Sequence, residues 1–216
     1  NSEGVENLAE ACAAHQTIFI HVSTDYVFDG DTNLPYSEDD FTNPQGIYGK
    51  SKREGEELAL EINPKTIIIR TSWLYSEFNK NFVKTMMRLM FQKDSISVVS
   101  DQLGSPTYAA DLAHAIYMIV KQVVKKPQGY AGIYHYSNNG VISWFDFAAA
   151  IKEITGSACK VNPFAENAFE VPETPGVRLH NLLTIFLDPA TGKGGIRNVV
   201  NGVGGSSTIA NPDVPV

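Results

Sequence analysis

The stretch TIFIHVSTDYVFDG, residues 17–30, joins a short apolar run to a dense cluster of polar side chains. Residues 17–23 are almost continuously apolar, which is typical of a parallel strand that is covered on both faces. The polar cluster follows where this strand is predicted to end, and it consists of Ser23, Thr24, Asp25 and Tyr26. Because ligands bind beyond the carboxyl ends of the strands in open parallel sheets, the cluster is a candidate functional site.

Outward from this stretch, strand-like and helix-like segments alternate along the chain. Apolar runs predict further strands over residues 66–72, 95–101 and 132–138. Apolar residues at helical spacing predict helices over residues 4–14, 48–62, 79–93, 109–125 and 143–156, the last with Ser143 as its N-cap and Gly156 as its stop. This alternation predicts an α/β fold with a largely parallel sheet.

The composition excludes several classes of function. The chain has 216 residues, 43% hydrophobic and 19% charged, and its net charge of −7 disfavours nucleic acid or an anionic membrane as a partner. No apolar run approaches the roughly 18 residues that a membrane span needs, and residues 1–15 lack the features of a signal peptide. Cys12 and Cys159 are far apart and without metal-ligand spacing, so we expect a reduced, cytoplasmic protein without a metal site.

A second candidate feature is the pair of Tyr48 and Lys52 at the start of a predicted helix. Residues four apart share one face of a helix, so the phenol and the ammonium can point the same way. The pKa of a free phenol is about 10, and a nearby ammonium lowers it, which makes tyrosine a usable general acid for carbonyl reduction. Tyr117 and Lys121 have the same spacing, but they lie in an apolar run and are predicted to be core or helix surface.

The strand end and the helix start together suggest a site for carbonyl reduction. The Thr24 hydroxyl can hydrogen-bond the oxygen that receives the proton and stabilise its developing negative charge. Thr24, Tyr48 and Lys52 would then act on one carbonyl group. A simpler role remains for Ser23 and Thr24, since hydroxyls commonly cap backbone groups at the ends of elements.

Four segments, in order and at matching spacing, resemble the dTDP-4-dehydrorhamnose reductase family of extended short-chain dehydrogenases/reductases. They are STDYVFDG, PYSEDDFTNPQGIYGKSKREGEE, IIIRTSWLYSEFNKNFVKTMMRL and VVSDQLGSPTYAADLAHAI, and the resemblance covers residues 1–160. It implies a Rossmann-like parallel sheet with a smaller substrate-binding lobe. It also implies reduction of the 4-keto group of dTDP-4-dehydro-L-rhamnose to dTDP-L-rhamnose, for cell-surface polysaccharide, with NADPH or NADH as the hydride donor.

The resemblance assigns roles to single residues. It places Thr24, Tyr48 and Lys52 on the family's catalytic triad, with Lys52 also touching the nicotinamide ribose. The cofactor-binding residues that it implies are Ser23, Tyr48 and Lys52, and the substrate-binding residues are Asp25, Tyr26, Trp73, Gln102, Pro106 and Thr107. By themselves, Trp73 would be taken for a core residue and the DQLGSPT segment for a turn.

One position separates close relatives. Sugar-nucleotide dehydratases of the same superfamily typically have Thr-Asp-Glu at the strand end and use the acidic pair for elimination. Here the order is Thr24, Asp25, Tyr26, so the base that would remove a proton next to the carbonyl is absent. The resemblance therefore favours simple reduction over dehydration.

Two features depart from the family pattern. The Gly-rich loop that holds a cofactor's pyrophosphate is not in the sequence, so the resemblance implies that the N-terminal, cofactor-binding half is absent and that the isolated chain is inactive. The family also continues after a Thr-Pro pair with Arg-Pro and a closing helix, whereas this chain diverges from Arg178 onward. Residues 188–216 are rich in Gly, Asn and Val without a clear period, and are predicted to be loosely ordered.

These patterns predict how the chain is divided. We expect residues 1–72, completed in part by residues 107–136, to form the catalytic half of a Rossmann domain. Residues 73–106 and 137–170 are expected to form the substrate-binding lobe, and residues 171–216 an atypical tail.

Other functions remain open at this point. One is an epimerase-reductase that acts on GDP-linked sugars, and another is a non-catalytic regulatory subunit, because that of methionine adenosyltransferase resembles this family. The family also leaves room for a homodimer and for Mg²⁺ at a subunit contact near Asp111, but one carboxylate is not a metal site. The preference between NADPH and NADH is not encoded in these residues.

Overall fold

The computed structural model describes residues 1–32 and 34–165, together with the backbone of residues 183–187 and 194–198. Its helices are α1 Glu3–Ala14, α2 Ile47–Ile62, α3 Phe82–Gln92, α4 Ala109–Lys125 and α5 Trp144–Thr155, and a 3-10 turn covers Asp25–Val27. Its strands are β1 Ile20–Thr24, β2 Ile67–Thr71, β3 Leu74–Tyr75, β4 Ser95–Val99, β5 Leu103–Gly104, β6 Thr107–Tyr108, β7 Gly132–His135, β8 Ile142–Ser143, β9 Lys160–Phe164, β10 Leu183–Leu187 and β11 Gly194–Asn198.

The predicted helices are confirmed, with one shifted start. The ends of α5 follow the sequence: the Ser143 hydroxyl accepts from the Asp146 N–H at 3.0 Å, and Gly156 ends the helix with φ of 64°. Helix α3 begins later than predicted. Asn79 has φ of 54°, which interrupts the helical backbone, and the Asn81 side chain then caps the helix by accepting from the Lys84 N–H at 3.2 Å.

Three parallel strands in the order β1-β2-β7 form the central sheet. Strand β2 lies in the middle and is buried along its whole length, which explains its continuous apolar sequence. On one face of the sheet, Ile67 and Ile69 pack against α4 through Leu112 and Ile119.

The opposite face of the sheet is covered by α1 and α2. Phe19, just before β1, packs against Ala9 of α1 and Ala59 of α2. A side chain at Gly55 would meet the Asn1 carbonyl oxygen at 2.6 Å and the Val5 side chain of α1 at 3.3 Å, so α1 and α2 approach closely at this glycine. The sheet is therefore sandwiched between helices, and β1 is held in place beside the start of α2.

A second hydrophobic core lies away from this sheet. Helices α3 and α5 pack over the parallel pair β4–β9, with a buried cluster of Met86, Met90, Ile96, Val98, Ala148, Ile151 and Cys159. The predicted strand at 95–101 therefore exists. The prediction of one largely parallel sheet had placed it in the central sheet, but it pairs with β9 instead. The sequence did not predict its partner β9, because Lys160, Asn162 and Pro163 are residues that strands rarely contain.

The predicted division of the chain into a sheet half and a lobe stays a prediction. In the tail, β10 and β11 pair antiparallel. The prediction of loose order is therefore wrong for residues 194–198, where a Gly-rich sequence hides a strand. The predicted divergence at Arg178 lies outside the described residues. No helix in the described part of the chain is long and apolar enough to cross a bilayer.

Candidate active site

The first part of the site is the turn that follows β1. The chain passes from strand to 3-10 turn at Thr24, whose hydroxyl accepts from the Tyr26 N–H at 3.3 Å and donates to the Asp25 carboxylate at 3.0 Å. The capping role considered for Thr24 is thus present. Thr24 is 6% exposed, and its hydroxyl is bonded to neighbours within the turn.

Asp25 is an acid in an apolar setting. It is 2% exposed, and burial raises its pKa to about 7, although hydrogen bonds from Thr24 and from backbone amides oppose the shift. Near neutral pH the carboxyl is therefore close to the balance between its protonated and ionised forms. Its position makes it a partner of Thr24 and leaves it little surface for contact with a sugar.

The second part of the site is the first turn of α2. A side chain at Gly49 would collide with the Tyr26 carbonyl oxygen and would lie 2.9 Å from Pro44, so only glycine lets the helix start lie against the turn. This brings Tyr48 beside Tyr26, with ring centroids 5.9 Å apart in an edge-on arrangement. Tyr48 is 53% exposed, and its hydroxyl has no hydrogen-bond partner in the described part of the chain.

Lys52 reaches from α2 to β1. Its ammonium donates to the Val22 carbonyl at 2.8 Å and lies 3.2 Å from Nε2 of His21. Burial lowers the pKa of Lys52, while the charge of Glu56 opposes the shift. The structure thus gathers Thr24, Tyr48 and Lys52 at one strand end, with the lysine bound to the strand and the phenol facing outward.

Two buried hydroxyls at this edge lack partners. Ser23 Oγ and Thr71 Oγ1 lie near the ends of the paired strands β1 and β2, and neither has a hydrogen bond within the described residues. Buried polar atoms in this condition are uncommon, because an unmade hydrogen bond is costly. They mark the edge as a place where an outside polar group can bind.

Trp73 lies between the end of β2 and the start of β3. Its backbone is left-handed, with φ of 46°, which is unusual for a bulky residue. Its indole stacks on Trp144 with ring centroids 3.5 Å apart and packs directly on Gly104, where any side chain would collide with it. Trp73 is half-buried, so it is both part of the packing and part of the surface.

The DQLGSPT segment lies beside Trp73. Gln102 and Pro106 are half-buried and keep some surface. Thr107 is fully buried, its hydroxyl 3.4 Å from the Ser105 carbonyl, and its N–H donates to the Trp73 carbonyl at 3.1 Å. The prediction that Thr107 contacts substrate therefore does not fit its side chain, which instead supports the segment.

The long loop over residues 25–47 is fastened to the sheet by side chains that the sequence did not single out. Glu38 accepts from the His135 N–H of β7 at 2.9 Å, and the Phe28 ring lies under the Arg70 guanidinium at 5.1 Å. Arg70 also forms a buried ion pair with Glu56 of α2 at 2.7 Å. An arginine inside the apolar run IIIRT was the only signal of this network.

Two further expectations concern other parts of the molecule. Tyr117 is 57% exposed on α4, with the Lys121 ammonium 5.5 Å from its ring centroid, so this pair is on the helix surface as predicted. Cys12 and Cys159 are both free thiols. Among the described residues, no group of three or more His, Cys, Asp or Glu is arranged to hold a metal ion.

Comparison with known proteins identifies relatives of this chain. The family model described as the RmlD substrate binding domain matches residues 1–175. The dTDP-4-dehydrorhamnose reductase of Aggregatibacter actinomycetemcomitans is 48% identical over 151 residues, which are 70% of this chain and 51% of that protein. The dTDP-4-dehydrorhamnose reductase of Sinorhizobium fredii is 43% identical over 177 residues, which are 80% of this chain and 60% of that protein.

A solved structure is similar as well. The dTDP-4-dehydrorhamnose reductase of Bacillus anthracis, crystallised in complex with NADP, superposes with a TM-score of 0.75 and is 38% identical, covering 84% of this chain and 63% of that one. The fold is thus the Rossmann-like α/β fold of these enzymes. The chain spans between about half and two thirds of the length of these three relatives.

Proposed function

The chain belongs to the RmlD substrate-binding-domain family, and on that premise we propose that it reduces the 4-keto group of dTDP-4-dehydro-L-rhamnose to dTDP-L-rhamnose. The product is a nucleotide-linked sugar, used to build cell-surface polysaccharide. Because the chain spans only part of its relatives, the activity, the substrate and the cofactor all belong to the proposal.

One observation carries the proposal. The exposed Tyr48 phenol lies beside the turn after β1, while Lys52 of the same helix is tied to that strand through the Val22 carbonyl. A proton donor whose hydroxyl has no partner among the described residues, on the same helix as a fixed positive charge, suits the reduction of a carbonyl group.

Within this site, Tyr48 donates the proton to the substrate's carbonyl oxygen, and the Lys52 ammonium supplies a positive charge on the same helix. Thr24 can donate to the same oxygen only if its proton is released from Asp25. When Asp25 is protonated, it donates to Thr24 instead, and the threonine proton becomes free for the substrate. Asp25 therefore acts through Thr24, which revises its predicted role as a substrate contact.

The residues present fit a nicotinamide cofactor. The unpartnered Ser23 Oγ and the third N–H of the Lys52 ammonium are suited to ribose hydroxyls or a carboxamide. Bound NADPH, or NADH, supplies the hydride that adds to the carbonyl carbon. Ser23, Tyr48 and Lys52 are thus the residues proposed to hold the cofactor's reactive end. A role for Mg²⁺ is not proposed.

The substrate is proposed to lie between the β1 turn and the lobe. Tyr26 is 41% exposed on one side, and Trp73, Gln102 and Pro106 keep surface on the other. Aromatic faces of this kind suit sugar and nucleotide rings. Thr107 is buried and bonds to the Trp73 backbone, so it is not proposed to contact the substrate.

We further propose that the protein works in the cytoplasm, because nicotinamide cofactors and nucleotide-linked sugars are metabolites of that compartment.

A homodimer is also proposed, and size-exclusion chromatography with light scattering tests it. The net charge of −7 supports a small-molecule substrate over nucleic acid.

The function is tested by assaying the product of the complete gene. NADPH oxidation is measured with dTDP-linked and GDP-linked 4-keto sugars, and the product is identified by mass spectrometry. We expect turnover with dTDP-4-dehydrorhamnose and far slower turnover with the GDP-linked sugar. Preference for the GDP-linked sugar would assign the protein to the other reductases, and lack of turnover with both, together with co-purification of a methionine adenosyltransferase, would assign it a regulatory role.

A further inference from the structure

We propose that His21 is a positioning residue for Lys52, whose ammonium it holds at the end of β1 by accepting a hydrogen bond. The proposal rests on the proposed function for the task it gives Lys52. The contact itself stands on the geometry alone.

Two consecutive residues of β1 each present a hydrogen-bond acceptor to the Lys52 ammonium. Nε2 of His21 lies 3.2 Å from the Lys52 ammonium, and the Val22 carbonyl accepts from the same ammonium at 2.8 Å. An ammonium has three donors, so one remains to face the site. Because the lysine side chain has four flexible carbons, two anchors on the strand fix a direction that one anchor would leave open.

His21 can accept only in its neutral form, with the proton on Nδ1. Its surroundings favour this form: burial, and then the charge of the Lys52 ammonium, lower its pKa to about 4. Glu56 of α2, whose charge acts on Lys52, forms its ion pair with Arg70. The imidazole is therefore neutral at physiological pH and ready to accept.

Loss of the acceptor has a specific consequence. In His21→Leu the ammonium keeps only the Val22 carbonyl, so it can drift from the position that serves Tyr48 and the cofactor. We expect kcat to fall by roughly 10- to 100-fold, the scale of a small misplacement of a catalytic group, with KM for the sugar nucleotide nearly unchanged. In His21→Gln the side-chain oxygen can replace Nε2, so most of kcat should return.

A spectroscopic arm tests the contact without any turnover. Nitrogen-15 NMR of the histidines should show His21 as the Nδ1–H tautomer, with a titration midpoint at about 4. In Lys52→Met the midpoint should rise toward 6.5, because a neighbouring positive charge is removed. The matched control is Lys121→Met, which removes an exposed lysine on α4 and should leave the His21 midpoint in place.

The two arms separate the possible failures. An unchanged His21 midpoint in Lys52→Met would overturn the contact. Equal loss of kcat in His21→Leu and His21→Gln, or no loss in His21→Leu, would overturn the positioning role. If the wild-type protein does not reduce the substrate at all, while the NMR results hold, the proposed function fails and the His21–Lys52 contact stands.

Discussion

Asp25 is the residue whose chemistry conflicts most with its surroundings. It is 2% exposed, and its pKa is raised to about 7 by burial. A carboxyl whose pKa rises on folding stabilises the fold fully at low pH and loses that contribution as the pH climbs from 3.8 to about 7. The site therefore keeps an acid that weakens the fold at neutral pH, which suggests a use for its proton.

The first prediction concerns Asp25→Asn. The substitution removes the titrating group, so the variant does not lose stability as the pH rises through this window. Its free energy of unfolding should therefore rise relative to that of the wild type, by up to about 4 kcal/mol for one group. Urea unfolding at several pH values measures the difference. A difference that stays constant with pH would show that Asp25 does not titrate in this range.

At the scale of residues, the sequence predicted which side chains form the candidate site but not which side chains contact each other. Thr24, Tyr48 and Lys52 could be selected because their spacing and their places at element ends are visible in one dimension. The contact between His21 and Lys52 spans 31 residues, and that between Glu38 and His135 spans 97, so both exist only after folding. The burial of Thr107 could not be predicted from the sequence either, because it depends on residues that are near it only in the folded chain.

Helix α2 carries the site at the scale of elements. It is fixed at its start by the approach of Gly49 to Tyr26 and further along by the Glu56–Arg70 ion pair. Neither anchor follows from helix propensity, and Gly49 in isolation weakens the helix. The glycine is explained by the backbone that lies against it.

The second prediction tests this anchor with Gly49→Ala. The added methyl group must push α2 away from the β1 turn, so Tyr48 moves, and turnover should fall by roughly 10-fold or more. The measurement is kcat of the folded variant together with its melting temperature. The matched control is Gly4→Ala in α1, where the new methyl group meets nothing within 4 Å and should leave turnover unchanged. Full activity in Gly49→Ala would refute this role of the glycine.

Elements with a clear period were predictable, and short or polar ones were not. The bounds of α4 follow its apolar spacing, and α5 follows its cap and its stop. Strands of two residues, such as β3 and β5, are too short to show alternation. Strand β9 was missed because its side chains are mostly exposed, so pairing with β4 rather than burial defines it.

At the scale of the whole molecule, buried apolar clusters lie on both faces of the central sheet, and a further one lies where α3 and α5 pack over β4 and β9. Trp73 extends from the end of β2, and its stack on Trp144 joins the end of this strand to α5. The sequence did not reveal this contact, because Trp73 and Trp144 are far apart along the chain. The junction lies beside the proposed substrate cleft.

The third prediction concerns Trp73→Ala. Because the indole is half-buried and stacked, its truncation should lower the free energy of unfolding by about 2 kcal/mol and also weaken binding of the dTDP-sugar. Thermal unfolding and calorimetric titration measure the two effects separately. Trp144→Ala is the comparison, since it removes the stack but leaves Trp73 in the chain. Loss of stability with unchanged affinity would make Trp73 a purely structural residue.

The central claim is that Tyr48 is the proton donor of a reductase, and Tyr48→Phe tests it most directly. The measurement is the rate of NADPH oxidation by the complete gene product with dTDP-4-dehydrorhamnose, for the wild type, Tyr48→Phe and the control Tyr117→Phe. We expect Tyr48→Phe to lose roughly 100-fold or more in kcat, as for a missing general acid, while Tyr117→Phe keeps the wild-type rate. A Tyr48→Phe variant with nearly full activity would contradict the account.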